Sequence, residues 1–183
     1  MCEITVLRLG ERPSRDQRIN THLALVARAF GANRLVMFYR DTSLIRSIEG
    51  VNDRFGGDFS VVVQEKGGWK DFLKKWDGVV VHLTMYGLPL DEGIDRLKKI
   101  DDVRKLLVVI GGEKVPAEIY YRAHLNISVG GQPHSEIAAL AVFLDRYFGG
   151  KELQRDMKNW KYMIVPQERG KKVVQRKGIT HRS

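Results

Sequence analysis

A chain of 183 residues, 43% of them apolar, is long enough to bury a core of its own, and its length favours one domain with an appendage rather than a disordered or multidomain protein. The single cysteine, Cys2, excludes an internal disulfide framework and a cysteine-built zinc site, and no apolar run approaches the roughly 20 residues of a membrane helix, so the chain reads as soluble, unprocessed and suited to a reducing cytoplasm. Of the net charge of +9, ten Lys or Arg against three Asp or Glu fall between Lys151 and Ser183, which leaves only +2 for everything before Lys151.

The chain opens on the β-rich run Ile4-Thr5-Val6-Leu7-Arg8-Leu9 and a predicted helix from Asp16 to Phe30, stopped by Gly31. Leu35 to Tyr39 reads as a strand, Ser43 to Phe55 as a helix, Phe59 to Val63 as a strand and Trp69 to Trp76 as a short helix. Gly78 to Leu83 and Leu106 to Ile110 are continuous apolar strands, the pattern of burial on both faces, with a short helix from Asp91 to Lys99 between them. Pro116 to Arg122 suits one helical turn, Leu125 to Val129 a last core strand, and Ser135 to Phe148 a closing helix capped by Ser135. About six βα units imply an α/β fold with a mostly parallel sheet and helices on both faces.

After Gly149-Gly150 the pattern changes to a helix-like Glu152 to Lys158, an apolar Tyr162 to Pro166, and a hairpin turn around Glu168-Arg169-Gly170. The expected division is therefore a domain over 1–150 and a basic C-terminal extension over 151–183 packing on it, since about 33 residues do not easily support a separate core. Cations interleaved with Trp160, Tyr162 and Met163 suit a surface that follows nucleic-acid phosphates, though a solvated basic tail has the same composition.

Parallel sheets bind ligands beyond the carboxyl ends of their strands, so the segments leaving the strands are the places to look for chemistry. Leu83-Thr84-Met85-Tyr86-Gly87, Ile110-Gly111-Gly112-Glu113-Lys114-Val115-Pro116 and Ser128-Val129-Gly130-Gly131-Gln132-Pro133-His134-Ser135 all leave strands through glycine or small residues. Neither double glycine belongs to a GxGxxG or GxxxxGK[ST] pattern, so the phosphate-binding fingerprints are absent. Tight strand-to-helix turns explain them as well as a ligand pocket does. Two such turns on neighbouring strands, with Glu113 and Gln132 beside them, favour one shared pocket.

The segment Leu9 to His22 carries Arg12, Arg15 and Arg18 within seven residues at the entry to a helix. Arginines there would form an anion site with the helix dipole, or else pair with Glu11 and Asp16. A guanidinium is too basic, with a pKa above about 12, to remove a proton itself, so electrostatic activation of a substrate group is the favoured role. The five histidines are scattered without metal-ligand spacing; His82 reads as a hydrogen-bonded core residue and His134 as the one to test for substrate contact.

Leu9 to His22 with its arginines, Ala27-Arg28-Ala29-Phe30-Gly31-Ala32, Ile110 to Pro116 and Ser128 to Glu136 together resemble the archaeal tRNA cytidine-56 2′-O-methyltransferases, over essentially the whole chain. That family belongs to the SPOUT class, so the resemblance implies a deep trefoil knot, which periodicity does not show and which is close to absent among folds generally. It also implies a homodimer, S-adenosylmethionine as cofactor, the ribose 2′-hydroxyl of cytidine 56 in the tRNA T-loop as methyl acceptor, and no metal. The implied cofactor contacts are Leu83, Ile110, Gly111, Gly112, Glu113, Lys114, Ser128, Val129, Gly130, Gly131, Gln132, Pro133, His134 and Ser135.

One motif departs from the wider class. Related ribose methyltransferases carry an arginine five residues before the phenylalanine of the Ala-Phe-Gly turn, where this chain has Leu25. Arg18, two helical turns earlier on the same face, is the first candidate for the catalytic arginine, followed by Arg15 and Arg12. The alternatives are a non-catalytic α/β module that binds RNA or a nucleotide, and a SPOUT enzyme acting on a base.

Overall fold

The computed structural model describes residues 2–10, 17–64, 66–111 and 115–176. Six strands form one parallel sheet in the order β3-β2-β1-β5-β4-β6. In chain order these are β1 (Glu3–Leu9), β2 (Arg34–Met37), β3 (Ser60–Val63), β4 (Val79–Pro89), β5 (Lys105–Gly111) and β6 (Leu125–Ser128). The helices between and after them are α1 (Gln17–Ala29), α2 (Thr42–Phe55), α3 (Gly68–Lys75), α4 (Leu90–Lys98), α5 (Ala117–Arg122) and α6 (Glu136–Phe148). Helices cover both faces, as the continuous apolar strands predict.

The two faces are unequal. Ile4 and Val6 of β1 point into the larger core, closed by Leu23, Ala24 and Ala27 of α1, Leu44 and Ile48 of α2, Ile94 and Leu97 of α4, and Leu140, Phe143 and Leu144 of α6. Leu7 and Leu9 point the other way, onto a thinner layer with Val36, Val80, Leu107, Val109 and Ile119 of α5. Trp69, Phe72, Leu73 and Trp76 of the α3 segment pack against that layer, with Phe72 edge-on to Phe38 at 6.3 Å between ring centroids. Of these helix side chains Ile119 is fully buried, a contribution of roughly 1.5–3 kcal/mol, and the half-buried aromatic residues of the α3 segment contribute less each.

Helix ends follow local chemistry. Asp41 accepts from the Leu44 amide at the start of α2, and Ser135 accepts from the Ile137 amide at the start of α6, the role its sequence position suggests. Gly149, left-handed at φ 65°, ends α6.

Two segments differ from the sequence expectation. The chain does not leave its strand at Leu83: β4 runs on to Pro89, and both Leu83 and Leu88 pair with Ile127 of β6, so residues 84–87 form an outward bulge. Gly87 permits this, because a Cβ there would stand 2.5 Å from the Asn126 and Ile127 backbone. The predicted helix Glu152 to Lys158 is instead a 3₁₀ turn at Lys151–Gln154. Beyond it the backbone bonds elsewhere: the Lys158 carbonyl accepts from the Gly57 amide at 2.9 Å, and the Lys161 amide donates to the Arg54 carbonyl at 3.0 Å. These contacts at the end of α2 outcompete a local helical ladder.

The chain then forms the antiparallel hairpin of β7 (Tyr162–Val165) and β8 (Lys172–Gln175) around the predicted turn. Among the described residues, no helix is long and apolar enough to cross a membrane.

Candidate active site

The sheet order brings the predicted loops to one edge. Residue pairs along the sheet are Leu9 with Gly111, His82 with Val109, Leu83 with Ile127 and Pro89 with Ser128, so the carboxyl ends of β1, β5, β4 and β6 lie side by side. Leu83, Ile110 and Ser128 are buried beneath that edge, and Gly111 is half-buried as the last residue of β5. Val129 packs on the core, while residues 130–135, which include Gln132, Pro133, His134 and Ser135, are exposed. Gly112, Glu113 and Lys114, together with Arg12 and Arg15, lie outside the described residues. Arg18 is exposed on the first turn of α1, the helix that follows β1.

The loop between β6 and α6 braces itself from within. Ser128 Oγ donates to the Gly130 carbonyl at 2.8 Å. The His134 ring lies between two carbonyls, Nε2 at 2.9 Å from Val129 and Nδ1 at 3.1 Å from Ser135, so its polar atoms are turned to the loop's own backbone. Gly130 has a φ of 94°, and no atom of the described residues lies within 4 Å of where a Cβ would stand on Gly130 or Gly131. The result is a turn braced by its own hydrogen bonds, whose glycine backbone has no neighbour close by among the described residues.

His82, beneath this edge, is fully buried and bonds Asn126 Oδ1 through Nδ1 at 2.9 Å, while its ring meets Tyr120 edge-on at 4.7 Å between centroids. Burial lowers its pKa below the ordinary histidine range, against the opposing bond from Asn126. It is the core histidine that its apolar strand suggests. Among the described residues, no three His, Cys, Asp or Glu side chains gather in a way that would hold a metal ion.

Sequence reasoning missed Arg8. It is only 3% exposed, and its guanidinium joins the two halves of the edge: Nε and Nη2 donate to Glu136 Oε1 at 3.2 and 2.8 Å, and Nη1 donates to Asn20 Oδ1 at 2.9 Å. Asn20 in turn donates to the Tyr39 hydroxyl at 2.6 Å. The one available signal was a charged residue on an otherwise apolar face, after Ile4 and Val6.

A parallel sheet of this order, with its strand ends gathered under glycine loops, has the fold of the SpoU methyltransferases. The SpoU methyltransferase AviRb from Streptomyces viridochromogenes, solved in complex with AdoMet, superposes with a TM-score of 0.51 at 15% identity, over 82% of this chain and 58% of AviRb. Within that fold the chain belongs to the family described as tRNA ribose 2′-O-methyltransferase, aTrm56, which matches residues 55–174. It is 50% identical to the tRNA (cytidine(56)-2′-O)-methyltransferase of Thermococcus kodakarensis, over 94% of this chain and 97% of that one. The enzyme of the same name from Archaeoglobus fulgidus is 51% identical, over 94% and 98% of the two chains.

Proposed function

We propose that this protein transfers a methyl group from S-adenosylmethionine to the ribose 2′-hydroxyl of cytidine 56 in the T-loop of tRNA. The observation that carries this reading is the family likeness, which extends over almost the whole chain. The donor loop also fits the cofactor: main-chain groups around the Gly130-Gly131 turn suit an adenosyl and methionyl ligand, which brings no phosphate and asks for no phosphate loop.

Leu83 of β4, just before its bulge, with Ile110 to Lys114 and Ser128 to Ser135, would hold the cofactor. Bound there, it supplies a methyl on a sulfonium centre whose charge disappears as the methyl reaches the ribose oxygen. The protein contributes proximity and an easily ionised hydroxyl. Arg18 would stabilise the developing alkoxide, with Arg15 and then Arg12 as the next candidates for that role. A phosphate or water takes the proton, because a guanidinium remains protonated. The reading requires no metal.

The same reading includes a trefoil knot threaded through residues of the SPOUT domain 1–150, a cytoplasmic location, and a homodimer. In favour of the dimer, the hairpin of the extension 151–183 carries Met163, Ile164, Val173 and Val174 exposed among the described residues, on a two-stranded ribbon. The test is methyl transfer from labelled S-adenosylmethionine to unmodified tRNA transcripts, followed by nuclease digestion and mass spectrometry. The expected product is 2′-O-methylcytidine at one T-loop position, resistant to alkali at that linkage. A methylated base, or a folded protein that binds tRNA without transfer, would overturn it.

A further inference from the structure

Among the described residues, Arg8 is the only buried lysine or arginine, and burying a guanidinium carries a desolvation cost that its ion pair with Glu136 offsets. It sits where α1 and α6 both begin, and a helix N-terminus presents positive partial charge to any neighbouring cation. Ile4 and Val6 precede it on the same face, so an apolar side chain would continue the core without a desolvated charge. What the guanidinium provides instead is a planar fork that reaches several elements at once. Its acceptors among the described residues include Glu136, the first residue of α6, and Asn20, on the first turns of α1, which passes the connection to Tyr39 beyond β2.

The two helices that it joins are the two sides of the candidate site. α6 begins directly after the braced 128–135 loop, and Arg18 lies two residues before Asn20 on α1. We infer that Arg8 is a positioning residue: it sets the first turn of α1 against the first turn of α6, and so keeps the acceptor side of the site in register with the donor loop. This rests on the assignment of those two elements under the proposed function. Methyl transfer needs in-line approach of the reacting atoms, and displacement of about 1 Å costs on the order of 100-fold in rate. Lysine, a point charge on a single stem, does not reproduce the two-way fork.

Arg8→Lys, Arg8→Met and Asn20→Ala distinguish this role from a merely structural one. With tRNA and S-adenosylmethionine both saturating, and below the unfolding range of each variant, the single-turnover rate should fall at least ~10-fold while both dissociation constants stay within about 3-fold. Amide hydrogen exchange should quicken in residues 17–22 and 128–136 together. A rate per folded molecule equal to the wild type, with only the melting temperature lowered, would overturn the inference. So would unchanged exchange in either segment, whatever the activity. If Arg8→Met does not fold, Asn20→Ala carries the test, because it leaves the Arg8–Glu136 pair in place. If Arg18→Ala is silent while Arg8→Lys is slow, the catalytic assignment of Arg18 fails and the positioning role stands; the reverse result removes Arg8 alone.

Discussion

The Ser128 hydroxyl donates to the Gly130 carbonyl at 2.8 Å, and this short bond holds Gly130 at a φ of 94°, with no atom of the described residues within 4 Å of where its Cβ would stand. A β-branched residue is strained in that conformation, at a cost of order 1–3 kcal/mol, and its side chain would occupy the place proposed for the cofactor. Gly130→Val should therefore lower S-adenosylmethionine affinity by at least ~100-fold, measured by calorimetry on folded protein. Gly131→Ala separates the two causes, because Gly131 has no positive φ and its added methyl meets no atom of the described residues. Weakened binding in that variant means the space beside it is the ligand's. Normal binding in both variants would place the pocket elsewhere.

Arg18 is exposed on the first turn of α1, where the helix dipole adds to its own charge. If it stabilises the alkoxide, its contribution belongs to the transition state and not to the cofactor. Arg18→Ala should lower kcat by about 100-fold or more, the scale of losing one preorganised donor, with S-adenosylmethionine affinity unchanged. Unchanged turnover would pass the role to Arg15 or Arg12.

The hairpin turn presents Arg169, Lys171 and Lys172 as exposed cations around Gly170. Each phosphate contact contributes about one unit to the slope of log affinity against log salt. Replacing all three by alanine should weaken tRNA binding and shallow that slope by up to about three units, without altering cofactor affinity. A slope identical to the wild type would mean that these cations face something other than RNA.

Much of the architecture was legible because the strands at the centre of a parallel sheet must be apolar on both faces, as Leu106 to Ile110 are. Short-range signals also served well: the Ser135 cap and the turn at Gly170 require only their neighbours. The 3₁₀ turn at Lys151–Gln154 was not legible, because the helical alternative was removed by long-range bonds to Gly57 and Arg54 that no local window contains. The bulge at residues 84–87 escaped for the same reason, since it is defined by two residues of β4 sharing Ile127. At the site, glycine loops announced themselves by composition, whereas Arg8 became meaningful only when the fold placed Asn20 and Glu136 at its guanidinium, 12 and 128 residues away.

Glu152 lies within the 3₁₀ turn, only 3% exposed, and among the described residues neither carboxylate oxygen has a hydrogen-bond partner. Burial, with the charge of Asp145 nearby, raises its pKa above the ordinary carboxylate range. The native state therefore holds this proton more tightly than the unfolded chain does. Its contribution to stability is fully present below the ordinary glutamate pKa of about 4.3 and is lost as pH rises through the higher folded value. Glu152→Gln keeps the shape and abolishes the titration. Measured by thermal unfolding, the variant should gain on the wild type as pH increases from 4 to 8. A difference that stays constant across that range would show that Glu152 ionises as freely in the native state as in the unfolded one.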